Sequence, residues 1–139
     1  MHPADSDQLN ELSFYTLSHS GGTFIHQLAV DAFTAQNADE ETRPMARIFS
    51  LVTLYLHIEK NYTGKQAQLA HMKMAKHKID WPQIILPEER GEITINDVLA
   101  LPPGSRRDEM ISRWCSSVWK VYKSNRDTII SICNRYQLN

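Results

Sequence analysis

Glu59 occupies the last turn of the most apolar helical segment of the chain. At about 100° per residue, it shares a face with apolar side chains of that segment, namely Ile48, Val52, Tyr55 and Leu56. A carboxylate on such a face must find a partner, take up a proton or line a hydrated cavity. Alternatively, its flexible stem carries the carboxylate out to water. The first interpretation makes Glu59 a candidate catalytic base.

His26 and Asp31 lie on an earlier helical segment, at opposite borders of its apolar arc. They are about 140° apart around the helix, so they cannot hold one ion together. Each can instead bond to a neighbouring helix or loop. In the alternative, functional interpretation, His26 points into a polar cavity as a second candidate catalytic residue, and Asp31 is a ligand-binding residue.

Three further polar residues complete the candidate set. Asn125 interrupts the apolar stripe of the last helix, and Arg126 flanks it. Both are candidate ligand-binding residues: Arg126 is either a structural counter-ion for Glu59 or Asp31, or a clamp for an anionic ligand. His57 is about 160° from Glu59 around their common helix, so these two do not form a same-face ligand pair.

The elements that position these residues are predicted to be helices in a single domain over 1–139, with 1–5 as a loose terminus. Ser6 is a candidate cap for the first helix, which ends near Leu17. The next helices are predicted over 23–37, 44–61 and 64–77, followed by an extended path over 78–93 and a short helix over 95–101. Capping-box patterns begin at Thr63, Thr94 and Ser105.

The last helix is expected to run from Ser105 to Arg135 without a break, a length of about 45 Å. Cys115 and Cys133 both fall on its apolar stripe. Because they would lie about 27 Å apart, they are predicted to be buried free thiols. The fold class is therefore all-α: a bundle of three to four long helices with one short helix and an extended, proline-containing connection.

Composition narrows the classes of function. The net charge is −1, with 42% hydrophobic and 22% charged residues, which is ordinary for a globular protein. No segment has the pattern of a signal peptide or a membrane span, so a cytoplasmic protein without a membrane partner is expected. The lysines between 60 and 78 have the spacing of a solvated face, so nucleic-acid binding is unlikely to be the function.

The stretch His-Gln-Leu-Ala-Val-Asp-Ala-Phe-Thr-Ala-Gln at 26–36 resembles the signature of a bacterial family of small, uncharacterised helical proteins. Weaker likenesses follow in the same order at Leu54-Tyr55-Leu56, at 94–99 and at Trp-Cys-Ser-Ser-Val-Trp over 114–119. The resemblance covers about residues 23–133. It implies a helical fold and candidate positions, but no reaction.

A more distant resemblance is to helical-bundle metalloenzymes related to the DNA-damage-inducible DinB proteins. That resemblance implies a divalent metal held by three histidines on separate helices. His26 and His57 match two of these ligands, whereas the last helix has Asn125 and Arg126 where the third would lie.

Two functions remain open from the sequence. The favoured one is a non-catalytic module that binds a small-molecule ligand or a partner, which includes a homodimer formed through a long helix. The alternative is a small-molecule or metal-dependent enzyme with a polar cavity around His26, Glu59 and Asn125. The sequence identifies no cofactor beyond a possible divalent metal.

Overall fold

The computed structural model describes residues 3–19, 21–78 and 80–139. This part of the chain contains seven α-helices, one 3-10 turn and no β-strand, which confirms the predicted all-α bundle. The helices are α1 (Pro3–Ser18), α2 (Ile25–Gln36), α3 (Pro44–Lys60), α4 (Gly64–Ala75), α5 (Ile95–Leu99), α6 (Ser105–Val121) and α7 (Arg126–Arg135).

Helix α3 forms the centre of the bundle. Every residue from Ser50 to Leu56 is buried, as expected for a helix that is apolar nearly all round. It packs against α2, α4, α6 and α7. Trp114 of α6 and Tyr122 just beyond it are the largest fully buried side chains of this core.

Local sequence signals mark several helix ends correctly. The predicted capping boxes at Thr63 and Thr94 are both present. Helix α6 begins at Ser105 as expected, although Gly104 precedes it as the cap and provides no side-chain bond. Helix α1 begins at Pro3, so Ser6 lies inside the helix; residues 1 and 2 of the predicted loose terminus lie outside the described residues.

The predicted unbroken helix from Ser105 to Arg135 is wrong. Helix α6 ends at Val121, and a 3-10 turn over Lys123–Asn125 separates it from α7. At the break, the Tyr122 hydroxyl donates to the carbonyl of Ala35 at 2.6 Å. The break also lets Asn125 face the connection between α4 and α5 instead of continuing the stripe.

That connection follows an extended path, and side chains from the helices satisfy its backbone groups. Asn125 accepts from the Ile85 amide at 2.8 Å and donates to the Ile85 carbonyl at 2.9 Å. The Gln36 side chain donates to the Arg90 and Ile93 carbonyls at 2.9 and 2.7 Å. These bonds fix the segment against the bundle although it contains no helix of its own.

Neither thiol is in a disulfide: Cys115 and Cys133 are both free and buried, as predicted. Burial raises the pKa of the Cys133 thiol to about 12 and that of Cys115 further still. In the part of the chain that the structure describes, no helix is long and apolar enough to cross a membrane.

Helix α4 begins in direct contact with the turn before α2. A Cβ atom at Gly64 would lie 1.9 Å from the Phe24 carbonyl oxygen. Because the obstacle is backbone, we expect Gly64→Ala to lower the free energy of unfolding by about 1–3 kcal/mol in urea titrations. Gly22→Ala is the matched control, since nothing lies within 4 Å of its added Cβ. Equal stabilities of the two variants would contradict this close docking.

Candidate functional site

Glu59 is the acceptor in an ion pair that joins α3 to α7. The Arg126 guanidinium donates to both carboxylate oxygens, with Nη2 at 2.6 Å from Oε1 and Nε at 2.9 Å from Oε2. The indole of Trp119 donates to Oε2 at 2.8 Å. The Arg126 hydrogen bonds lower the pKa of Glu59 below its usual range, with help from Trp119. Of the sequence alternatives, the structure has the counter-ion pair between Glu59 and Arg126, at a solvent-exposed position where the carboxylate also reaches water.

The two candidate histidines bond to different parts of the bundle. His26 Nδ1 lies 2.9 Å from the Thr16 hydroxyl on α1, and burial lowers the pKa of its imidazole. His57 uses both ring nitrogens, with Nδ1 2.7 Å from the Tyr62 carbonyl and Nε2 2.9 Å from the Ser112 hydroxyl. No hydrogen bond among the described residues joins either histidine to Glu59.

The donor set does not fit a divalent metal ion. Within residues 3–19, 21–78 and 80–139, no group of three or more His, Cys, Asp or Glu side chains could hold one. The hydrogen bonds at both His57 nitrogens leave neither ring atom free as a ligand. No chemical step is therefore assigned to a metal at these residues.

A buried polar cluster, formed by Gln27, Asp31, Thr53 and His71, joins α2, α3 and α4. His71 Nε2 lies 2.7 Å from the Thr53 hydroxyl, 2.8 Å from the Phe49 carbonyl and 3.9 Å from Asp31 Oδ2. Because a carbonyl oxygen only accepts, the Phe49 contact assigns the proton to Nε2. Gln27 donates to the Asp31 carboxylate at 2.8 Å.

The carboxylate of this cluster is out of reach of bulk water. Burial raises the pKa of Asp31, and His71, Gln27 and Thr53 oppose that rise. Asp31, predicted as a ligand-binding residue, therefore acts here as a polar contact between helices. His71 was not predicted as a site residue from the sequence. Its position beside Ala70, on the face of α4 that buries Ala67 and Met74, is the signal that could have placed it against the bundle.

A cavity of about 600 Å³ lies where the start of α3 meets the extended connection. Its lining combines opposite charges with apolar and aromatic surface: Glu40, Pro44, Arg47, Trp81, Pro82, Gln83, Ile84 and Leu86. The Nε atom of Arg47 is buried and has no hydrogen-bond partner among the described residues. Trp81 packs on Phe49, with ring centroids 5.9 Å apart. Phe49 in turn packs on His71 at 4.8 Å, which joins this cavity to the polar cluster.

The sequence did not predict that Arg47 and Trp81 line one cavity. Arg47 lies one turn before Leu51 on the buried side of α3, and this position was the available signal. Trp81 was recognised only as part of an extended segment. Nothing local to the sequence indicates that the connection folds back over the first turn of α3.

The fold and these contacts define a helical-bundle protein with polar side chains at its helix junctions and a charged, partly apolar cavity at the start of α3. The chain belongs to DUF5946, a family of unknown function whose model matches residues 6–123. The match includes Arg47, Trp81 and the polar cluster, and ends before Asn125 and Arg126. No curated protein and no solved structure matches the chain.

Replacement of Glu59 by glutamine tests the ion pair through its dependence on pH. Because the folded protein holds the pKa of Glu59 below the unfolded value of about 4.3, the pair stabilises the fold above that pH. The stabilisation is lost as the pH falls through the folded pKa. We therefore expect Glu59→Gln to lower the thermal midpoint at neutral pH, with the difference from wild type vanishing in acid. Glu88→Gln, at an exposed loop position, is the control; a pH-independent difference for Glu59→Gln would contradict the account.

The buried cluster predicts the effect of removing a single hydroxyl. Thr53→Val keeps the side-chain shape but removes the hydroxyl that bonds to His71, while His71 keeps the Phe49 carbonyl and Asp31 keeps Gln27. We expect the free energy of unfolding to fall by about 0.5–1.5 kcal/mol, the usual net contribution of one hydrogen bond. The same substitution at half-buried Thr34 is the control for the change in helix propensity. Equal unfolding free energies for the two variants in urea would show that the cluster contributes nothing.

Proposed function

We propose that this chain is a non-catalytic ligand-binding module that holds a small carboxylate or phosphate anion at Arg47. The observation that carries the proposal is that Arg47 lines the cavity without an ion-pair partner among the described residues. Its Nε atom is also buried without a hydrogen-bond partner, which costs the folded protein about 1–3 kcal/mol and more for a charged group. An anion in the cavity would supply the guanidinium with a counter-charge, and a guanidinium suits carboxylate and phosphate geometry.

Other arginines of the chain contrast with Arg47. Arg107 donates to the Leu101 carbonyl from both Nε and Nη2, at 2.9 and 2.6 Å. Arg90 donates to the Ala38 carbonyl at 2.6 Å, and Arg126 is paired with Glu59. These three guanidinium groups have structural partners, and in Arg107 and Arg126 the Nε atom itself is hydrogen-bonded. Arg47 departs from that pattern at a cavity wall.

The N-terminal end of α3 adds to the attraction for an anion. Pro44 occupies its first turn and lines the cavity, and Arg43 at the cap makes no side-chain bond to the helix. The backbone N–H groups of a helix start carry partial positive charge. The cavity volume lies within the range of about 300–1,000 Å³ that is usual for small-molecule sites.

The contacts of the sequence candidates weigh against the enzyme alternative. His26, Glu59 and Asn125 each bond to a different group: Thr16, Arg126 and Ile85, respectively. A general base needs access to a substrate proton, whereas the Glu59 carboxylate is hydrogen-bonded to Arg126 and Trp119. The resemblance to DinB-related metalloenzymes gains no support from these residues. A homodimer and a bacterial, cytoplasmic setting stay predictions from the sequence.

Anion binding at Arg47 is tested by calorimetry and thermal shift with inorganic phosphate and phenylpropionate as probes. We expect at least one probe to bind saturably and to raise the thermal midpoint of the wild type. Arg47→Gln should weaken that binding about 10- to 150-fold, because a hydrogen bond to a charged group contributes about 1.5–3 kcal/mol. Without a probe, Arg47→Gln should be at least as stable as the wild type, since it removes an unsatisfied charged donor.

The matched control is Arg43→Gln, which removes the same charge one turn earlier at an exposed position. It should leave probe affinity within about twofold of wild type, because exposed charges are largely screened. Absence of saturable binding by both probes, or equal affinities in wild type and Arg47→Gln, would overturn the proposed function.

A further inference from the structure

Glu40 gives the cavity a second charge, opposite in sign to Arg47. Both residues line the same space, yet neither takes part in an ion pair within 4 Å; the two ion pairs of the described residues are His71–Asp31 and Arg126–Glu59. A cavity with two separated, unpaired, opposite charges is electrostatically complementary to a ligand that carries both signs.

The loop between α2 and α3 holds Glu40 in place. Asp39 Oδ1 accepts from the Glu41 amide at 2.9 Å and from the Thr42 amide at 3.1 Å, which closes a turn around Glu40. A side-chain oxygen that bonds to the backbone two residues ahead is the usual way in which aspartate orders such a turn. The backbone of Glu40 is therefore positioned before any ligand arrives, which lowers the entropy cost of binding.

The apolar part of the lining can contact an uncharged hydrocarbon group. Trp81, Ile84 and Leu86 lie on the connection, with Pro44 on α3 and Pro82 beside the indole. An indole face and aliphatic side chains bind aromatic or branched hydrocarbon groups by burial of apolar surface. Inorganic phosphate alone would leave this surface and the Glu40 carboxylate without a partner.

We propose that the ligand is a free α-amino acid with a large apolar side chain, an inference that rests on the proposed binding of an anion at Arg47. The ligand carboxylate bonds to the Arg47 guanidinium, the ammonium group faces Glu40, and the side chain lies against Trp81. Glu40 then sets specificity: it favours molecules that carry the ammonium group over carboxylates that lack it.

Isothermal titration calorimetry with three matched probes tests this assignment. L-phenylalanine carries both charges, phenylpropionate lacks the ammonium group, and phenethylamine lacks the carboxylate. Because Glu40 is exposed and its charge is partly screened, the wild type should bind L-phenylalanine about two- to fivefold more tightly than phenylpropionate, and phenethylamine most weakly. Glu40→Gln should remove the preference for L-phenylalanine, whereas Glu41→Gln, which changes an equally exposed neighbour outside the cavity lining, should retain it.

The variants separate failure of this inference from failure of the proposed function. If phenylpropionate binds through Arg47 as tightly as L-phenylalanine, or if Glu40→Gln leaves the preference intact, the amino-acid assignment is overturned and the anion site stands. If neither carboxylate binds saturably although inorganic phosphate does, only the amino-acid assignment is overturned. If Arg47→Gln binds both carboxylates as the wild type does, or if no probe binds saturably, both are overturned.

Discussion

The two hydrogen bonds between Asn125 and the Ile85 backbone are the constraint on which the cavity depends. An extended segment without a sheet partner must satisfy its backbone groups elsewhere, and here helix side chains do so. Asn125 holds the middle of the connection and Gln36 holds its end, at the Arg90 and Ile93 carbonyls. Because the connection is fixed at these points, Trp81 and Ile84 lie opposite Arg47. The break between α6 and α7 contributes to this arrangement, since it lets Asn125 face the connection.

Local signals in the sequence predicted the helices well, because caps and apolar periodicity act within a few residues. The capping boxes at Thr63 and Thr94, the buried α3 and the free thiols were all predictable. Arg126 was also predictable as a counter-ion of Glu59, since a carboxylate on an apolar face needs a partner. The end of α6 at Val121 was not predictable, because tertiary hydrogen bonds of Tyr122 and Asn125 outweigh the amphipathic pattern. The Arg47 cavity depends on the path of a segment without periodicity, so no local rule could reveal it.

The polar residues of the bundle fall into two groups with different consequences. Asp31, His71 and Thr53 bond to one another across three helices, and Glu59 is bound by an arginine and an indole. Such groups specify how helices meet, and at buried Asp31 the loss of a partner exposes the cost of burying the carboxylate. Arg47 belongs to the second group because its Nε atom is buried and unsatisfied. Natural proteins retain such costs mainly where function requires them, which is why we propose the ligand site at Arg47 and not at Glu59.

Heteronuclear NMR of the arginine side chains tests the central claim at the Arg47 guanidinium itself. We expect titration with phenylpropionate to shift the Arg47 side-chain resonances saturably. The Nε–H resonances of Arg107 and Arg126, whose bonds are already made, should stay in place. An Arg47 resonance that does not respond while the ligand binds, or that shifts no more than those two, would contradict the account.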